Sequence, residues 1–128
     1  MKLQKLELQI RSLANKINVP ADLLPQVNES NNYAKPFIEF GGMDDFYYVI
    51  RERGVEYERV LYRDEQELSY RIFKDITFEM AKTFELNNRN NNEDFRIILF
   101  KEQEELLNLL KNDWGTRIKA ENDKYLEI

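Results

Sequence analysis

Residues 46–100 read FYYVIRERGVEYERVLYRDEQELSYRIFKDITFEMAKTFELNNRNNNEDFRIILF, and this stretch decides the fold. Two runs rich in aromatic and β-branched residues, Asp45–Glu52 and Val55–Tyr62, are separated by the dipeptide Arg53-Gly54. Glycine readily adopts the positive φ that a two-residue hairpin turn needs, so the pattern predicts a β-hairpin. Beyond the hairpin the apolar spacing becomes helical, and an asparagine-rich segment at residues 87–92 separates two predicted helices.

The expected register of the hairpin follows from pairing Glu52 with Val55 across the turn. One face is then mostly aromatic and aliphatic, with the pairs Ile50–Tyr57, Tyr48–Arg59 and Phe46–Leu61. The other face mixes tyrosine, valine and charge, with the pairs Arg51–Glu56, Val49–Glu58 and Tyr47–Val60. A three-residue loop would scatter charge over both faces, so the first face is predicted to be the core face.

Arg59 falls on that predicted core face and needs a partner there. A buried guanidinium is stable only when it is paired, and the expected partners are Asp75 or Glu79 on the long helix that follows. The alternative is an exposed Arg59 that contacts an anion.

Four helices are predicted around the hairpin. Asp64 can cap a helix of about residues 65–86, whose apolar stripe has a spacing of four and consists of Leu68, Ile72, Ile76, Met80 and Phe84. The first helix covers about residues 2–17 and ends at Asn18. The third helix starts at residues 92–94, and a short fourth helix follows a bend in the chain. The stripe of the third helix comprises Phe95, Ile98, Leu99, Leu106, Leu109 and Leu110, and the bend comprises Asn112, Asp113 and Gly115.

These elements, with a short strand at Phe37–Phe40, predict an α+β fold. It contains a small antiparallel sheet of about three strands packed with three to four helices, and it is dominated by helix. A length of 128 residues fits a single domain over residues 1–128.

Composition restricts the classes of function. The chain contains neither histidine nor cysteine, which excludes Ser-His and Cys-His catalysis, thiolate zinc sites and disulfides. Its formal charge of −5 disfavours a nucleic-acid partner and favours a basic protein, although mild acidity is also ordinary for cytoplasmic proteins. The chain shows no long apolar run and no leader-like start, so we expect a cytoplasmic protein with no membrane partner.

Acidic clusters were weighed as catalytic or metal sites. Glu39, Asp44 and Asp45 could coordinate a hard cation, but their spacing is that of solvated loop residues. A glycosidase needs two carboxylates beside a sugar-sized cleft, and the acids of the hairpin are better explained as exposed surface groups. No glycine pattern for binding phosphate is present. We therefore expect no catalytic residue, metal or cofactor.

The mixed face of the hairpin is the candidate surface for binding a partner. It combines rigid aromatic side chains with both signs of charge, which are enriched at protein interfaces. If the N-terminal helix covers this face instead, Tyr47, Val49 and Val60 become core residues, and the site moves to the turn and to the acidic edge that follows the hairpin. The candidate partner-binding residues are Tyr47, Arg51, Glu52, Arg53, Glu56, Glu58, Tyr62 and Asp64.

The order and wording of these elements resemble the immunity protein 63 family of bacterial polymorphic toxin systems. The resemblance covers nearly the whole chain and is carried by Glu52-Arg53-Gly54, residues 72–78 (IFKDITF), Asn88-Arg89, Asp94-Phe95-Arg96, Leu99-Phe100 and Trp114. It implies a cytoplasmic, non-catalytic protein that binds and neutralises a cognate toxin domain. The alternative is a regulatory or scaffold module that binds a cellular protein through its amphipathic N-terminal helix.

Overall fold

The computed structural model describes residues 2–27, 36–43 and 45–126. The helices in this part of the chain are α1 (Lys2–Lys16), a 3-10 turn at Ala21–Leu23, α2 (Glu65–Asn87), α3 (Phe95–Leu110) and α4 (Asn112–Leu126). The strands are β1 (Gln26–Val27), β2 (Phe37–Phe40), β3 (Phe46–Glu52) and β4 (Val55–Tyr62). The prediction of an α+β fold dominated by helix is confirmed.

The sheet has four strands in the order β1-β2-β3-β4, rather than about three. The additional strand, β1, has only two residues and pairs parallel to β2, whereas the other two pairings are antiparallel. Such a short strand has no alternation that sequence analysis can detect. Among the described strands, β4 lies at the edge of the sheet, so one side of its backbone faces no other described strand.

The chain forms two compact units. The sheet unit comprises Met1–Ala14 and Pro20–Ile72, and the helical unit comprises Asn15–Val19 and Phe73–Ile128. Helix α2 contributes its first residues to the sheet unit and the remainder to the helical unit. The single-domain organisation over residues 1–128 stays a prediction.

The hairpin turn forms as predicted, but the register beyond it does not. Arg53 and Gly54 have φ values of 53° and 78°, and Glu52 pairs with Val55 and Arg51 with Glu56. A β-bulge then leaves Tyr57 as an extra residue in β4, so the predicted pairs farther from the turn are wrong. The observed pairs are Ile50–Glu58, Val49–Arg59, Tyr48–Val60, Tyr47–Leu61 and Phe46–Tyr62.

The bulge has a clear physical consequence for Arg59. The predicted register placed its charge beside Tyr48 on the core face, whereas the observed register puts Val60 there and moves Arg59 to the opposite face. An apolar side chain therefore replaces a charge beside a ring that is almost fully buried. The expected ion pair of Arg59 with Asp75 or Glu79 is wrong, because Arg59 binds Glu39 and Glu56 instead.

The apolar spacing of residues 2–17 predicts a helix with a buried stripe that consists of Leu3, Leu6, Ile10, Leu13 and Ile17. Leu6, Ile10 and Ile17 are buried, whereas Leu3 and Leu13 are half-buried. Asn18, which was expected to end this helix, has a φ of 55°, in the left-handed region typical of a residue just past a helix end.

Helix α2 begins as predicted, since Asp64 Oδ1 accepts a hydrogen bond from the backbone N–H of Gln66 at 2.8 Å. Ile76 of the predicted stripe is buried, but Phe84 is 40% exposed. A spacing of four advances about 40° beyond a full turn at each step, so a long run of such steps leaves the buried face. Thr77 and Glu85 occupy buried positions instead.

Helices α3 and α4 pack closely within the helical unit. The bend between them is the extended residue Lys111, and Gly115 lies inside α4, so the predicted bend at Asn112, Asp113 and Gly115 is wrong. A Cβ atom at Gly115 would overlap the side-chain amide of Asn108 in its present rotamer, so glycine permits the close approach. Two residues of the predicted α3 stripe, Phe95 and Leu109, are exposed.

Candidate functional site

One face of the sheet unit carries a connected set of charged side chains, Glu39, Arg51, Glu56 and Arg59, together with Tyr47; we call it the paired face. Arg59 donates to Glu39 Oε2 at 2.7 Å and to Glu56 Oε1 at 2.5 Å. Arg51 donates to the other oxygen of Glu56 at 3.2 Å. The register creates this set, because it brings residues of β2, β3 and β4 to the same side of the sheet.

Aromatic rings support both arginines of the paired face. The Arg59 guanidinium lies 5.1 Å from the centroid of the Tyr47 ring, and that of Arg51 lies 5.7 Å from the Phe37 ring. A Cβ atom at Gly41 would lie 2.8 Å from the Tyr47 ring, so the ring packs directly on the glycine backbone. Tyr47 is therefore held between Gly41 and Arg59, in a fixed and half-buried position.

The ion pairs of the paired face shift the pKa values of Glu56 and Arg59. Hydrogen bonds from Arg59, and then from Arg51, lower the pKa of the Glu56 carboxyl. Hydrogen bonds to Glu56, and then to Glu39, raise the pKa of Arg59. The two arginines and two glutamates balance one another in charge, so the excess negative charge of the chain does not lie on the paired face.

The predicted mixed face is not a single surface. The bulge places Glu58 and Tyr62 on the side of the sheet opposite the paired face. There, Arg71 of α2 donates to both oxygens of Glu58 at 2.7 and 2.9 Å, and its guanidinium lies 4.8 Å from the centroid of the Tyr48 ring. The hydrogen bonds from Arg71 lower the pKa of Glu58. The Glu58–Arg71 ion pair thus links the first part of α2 to β4.

The remaining candidate residues lie around the turn and at the end of the hairpin. Glu52 and Arg53 are at the tip, and Asp64 is engaged as the cap of α2. Of the eight candidates, the structure brings Tyr47, Arg51 and Glu56 together in one network and places the others elsewhere.

Sequence analysis did not include Arg59, Glu39 or Tyr57 among the candidate partner-binding residues, although it kept an exposed Arg59 as an alternative. Tyr57 is 67% exposed at the bulge, and Val55 beside the turn is also exposed. The alternation of apolar and polar residues cannot reveal a bulge, because the extra residue simply reverses the faces beyond it. The sequence did contain one sign of an irregular strand, the adjacent charges Glu58 and Arg59. In any register, one of these two residues must lie on the core side of the sheet.

The residues that carry the family resemblance have structural roles. Asn88 donates to the Phe84 carbonyl at 2.9 Å, and Arg89 donates to both oxygens of the buried Glu85 at 2.8 and 2.9 Å, so these residues close the end of α2. Asp94 caps α3 by accepting from the backbone N–H of Arg96 at 3.0 Å. With the positive φ values of the turn, these contacts explain the shared motifs as supports of the fold.

The chain is similar to a known protein family over most of its length. A family described as Immunity protein 63 matches residues 43–124, which include the hairpin, α2, α3 and nearly all of α4. The chain belongs to the immunity protein 63 family. The match begins after β2, so α1, β1 and β2 lie outside it, although β2 contributes Glu39 to the paired face of this immunity protein. No curated protein and no solved structure matches the chain.

The part of the chain that the structure describes contains neither a metal-binding cluster nor a helix that could span a membrane. There, no group of at least three acidic side chains is arranged to hold a metal ion; Asp44, one of the acids weighed above, lies outside the described residues. Among the described helices, none is long and apolar enough to cross a membrane.

Proposed function

We propose that this immunity protein binds a cognate polymorphic toxin domain directly and blocks its action, and that it catalyses no reaction itself. Membership of the immunity protein 63 family supports a toxin as the general kind of partner. The net charge of −5 favours a basic toxin, and the absence of histidine and cysteine leaves few groups for catalysis. We place the encounter in the bacterial cytoplasm.

The paired face, extended by the exposed bulge residue Tyr57, is the surface that we propose contacts the toxin. The observation that carries this choice is the fixed Arg-Glu network above the aromatic rings, which is ordered before any partner arrives. A preformed surface loses little side-chain entropy on binding, and tyrosine and arginine are the residues most often found at binding hot spots.

The charge balance of this surface changes the expected kinetics. With two arginines and two glutamates, the paired face contributes little net field, so steering of a basic toxin depends on the acidic charge of the whole chain. Substitutions on the paired face should therefore act mainly on the dissociation rate.

The rival function, a scaffold that binds through the N-terminal helix, is disfavoured by the burial of α1. Leu6 and Ile10, which belong to the stripe that would bind a partner, are already buried. Leu8 is exposed on another side of that helix and does not extend the stripe.

Tyr57→Ala tests the proposed surface, because Tyr57 has no register partner in β3 and its removal should not disturb the sheet. We would purify the toxin domain encoded beside the gene as an inactive variant and measure its binding kinetics with the immunity protein. Truncating an anchor residue to alanine weakens the binding free energy by at least about 2 kcal/mol, which is roughly a thirtyfold loss of affinity. Leu8→Ala is the control at a similarly exposed position.

The binding measurement distinguishes a wrong contact surface from a wrong partner. A Tyr57→Ala variant that binds like the wild type would remove the bulge from the interface. A wild-type protein that neither binds the neighbouring toxin nor protects cells expressing it would reject the proposed function itself.

A further inference from the structure

The helical unit contains an aromatic groove that the proposed function does not yet use. Four rings line it, together with Leu99, and the groove has a volume of about 780 Å³. Phe95 is 51% exposed in it, and Tyr125 is more exposed still. The four rings belong to Phe78, Phe95, Phe100 and Tyr125. Exposed rings gathered around one concavity are typical of a binding site rather than of ordinary surface.

The walls of the groove are fixed by contacts within the helical unit. Arg96 is held by Asp94 and donates to the Tyr125 carbonyl at 2.7 Å, which ties the start of α3 to the end of α4. The rings of Phe100 and Tyr125 lie 6.3 Å apart. A ligand would therefore find these groups in place and would not have to order them.

A buried amide lies at the floor of the groove. Gln103 donates through Nε2 to the Lys74 carbonyl at 2.9 Å, and this bond fixes which end of its amide is oxygen. Asn122, only 7% exposed, then donates through Nδ2 to Gln103 Oε1 at 2.9 Å. The Oδ1 atom of Asn122 accepts no hydrogen bond from the described residues, so the floor retains an acceptor that suits an N–H donor.

The rim of the groove carries a cation that has no ion-pair partner among the described residues. Lys74 pairs with Glu121 at 3.4 Å and Arg96 with Asp94 at 2.7 Å. Lys124, which also lines the groove, forms no ion pair with any residue of the described part of the chain. An acidic group is the complementary partner, although the chain as a whole is acidic.

We infer that the aromatic groove binds a short segment of the toxin that presents an aromatic or large aliphatic side chain, a backbone N–H and a neighbouring carboxylate. The side chain packs among the rings, the N–H donates to Asn122, and the carboxylate approaches Lys124. This inference rests on the proposed function and adds a second contact, in the helical unit, to the paired face of the sheet unit.

Two surface variants test the groove without removing a core residue. We would measure the affinity of Phe95→Ala and Lys124→Glu for the inactive toxin domain encoded beside the gene, with Phe84→Ala as the matched control. Phe84 is another partly exposed phenylalanine of the helical unit, and it does not line the groove. Each groove variant should weaken binding at least about tenfold, which is more than most interface residues cost on substitution, and Phe84→Ala should not.

Measurements at low and high salt separate the charge contribution of Lys124 from the apolar contribution of Phe95. The loss in Lys124→Glu should shrink at high salt because the charge is exposed, and the loss in Phe95→Ala should persist. Wild-type binding with no loss in either groove variant, or an equal loss in Phe84→Ala, would overturn the inference and leave the proposed function intact. A wild-type protein that does not bind the toxin at all would reject the proposed function, and the groove inference with it.

Discussion

Ile76→Asp should strongly destabilise the immunity protein, because Ile76 lies in the buried stripe of α2 with only 4% of its surface exposed. Replacing a buried isoleucine with valine costs about 0.5–1.5 kcal/mol, and replacing it with alanine costs about 2–5 kcal/mol. Aspartate removes the same packing and adds an unpaired carboxylate. The loss should therefore exceed that of the alanine variant and approach the whole stability of a small domain, about 5–15 kcal/mol.

Urea unfolding followed by circular dichroism would measure the series from valine to alanine to aspartate. In an Ile76→Asp variant that still folds, burial would raise the pKa of the introduced carboxyl above its unfolded value, so the deficit should shrink as the pH falls through that raised pKa. This recovery is best measured above about pH 5, where the natural carboxylates remain ionised.

Phe84→Asp is the control, because the spacing of four placed Phe84 on the same stripe, whereas the structure leaves it 40% exposed. Its loss should be much smaller, on the order of 1–2 kcal/mol, since the new carboxylate reaches water. Equal losses at both positions, or an unchanged unfolding midpoint in Ile76→Asp, would refute the assignment of Ile76 to the buried face of α2.

Three further outcomes follow from the contacts of single residues. Hydrogen bonds from Arg89 lower the pKa of Glu85, so this pair stabilises the fold at neutral pH and the contribution is lost as the pH falls through that lowered pKa; in urea titrations towards acid pH, Glu85→Gln should show a smaller loss of stability than the wild type. Gly54→Val should lower the melting temperature, because φ is 78° there and the left-handed conformation costs about 1–2 kcal/mol in other residues; Gly54→Asn, which tolerates this region better, should lose less. Glu56→Lys should lower the melting temperature because it leaves Arg51 and Arg59 beside a third cation, and Glu56→Gln should lower it less; equal melting of both variants would contradict the importance of the network.

The sequence predicted those features that depend on local chemistry. The turn at Arg53-Gly54, the cap at Asp64 and the buried stripe of α1 each follow from backbone preferences or from periodicity within one element. The register of β4 could not be predicted in this way, because a bulge changes which residues face the core without changing the alternation of the sequence. The candidate site depended on that register. The prediction was right to group Tyr47, Arg51 and Glu56 on one face, but it placed Glu58 and Tyr62 on the wrong face.

The bulge also has a consequence for the exposed edge of the sheet. A regular edge strand of eight residues is a template for unwanted pairing with another chain, and β4 has that length. An unpaired residue at Tyr57 interrupts the ladder near the turn, and the charged residues Glu58 and Arg59 follow at once. The bulge therefore interrupts the edge strand, and it also places Arg59 on the paired face and leaves Tyr57 exposed. Deleting Tyr57 should remove the bulge and leave the other pairs in place, because Glu58 would then follow Glu56 directly and still face Ile50. Arg59 should keep its bonds to Glu39 and Glu56, so the deletion variant should melt close to Tyr57→Ala, while its regular edge should make it aggregate more readily than Tyr57→Ala. A deletion variant that melts far below Tyr57→Ala would show that the pairs beyond the bulge depend on the extra residue.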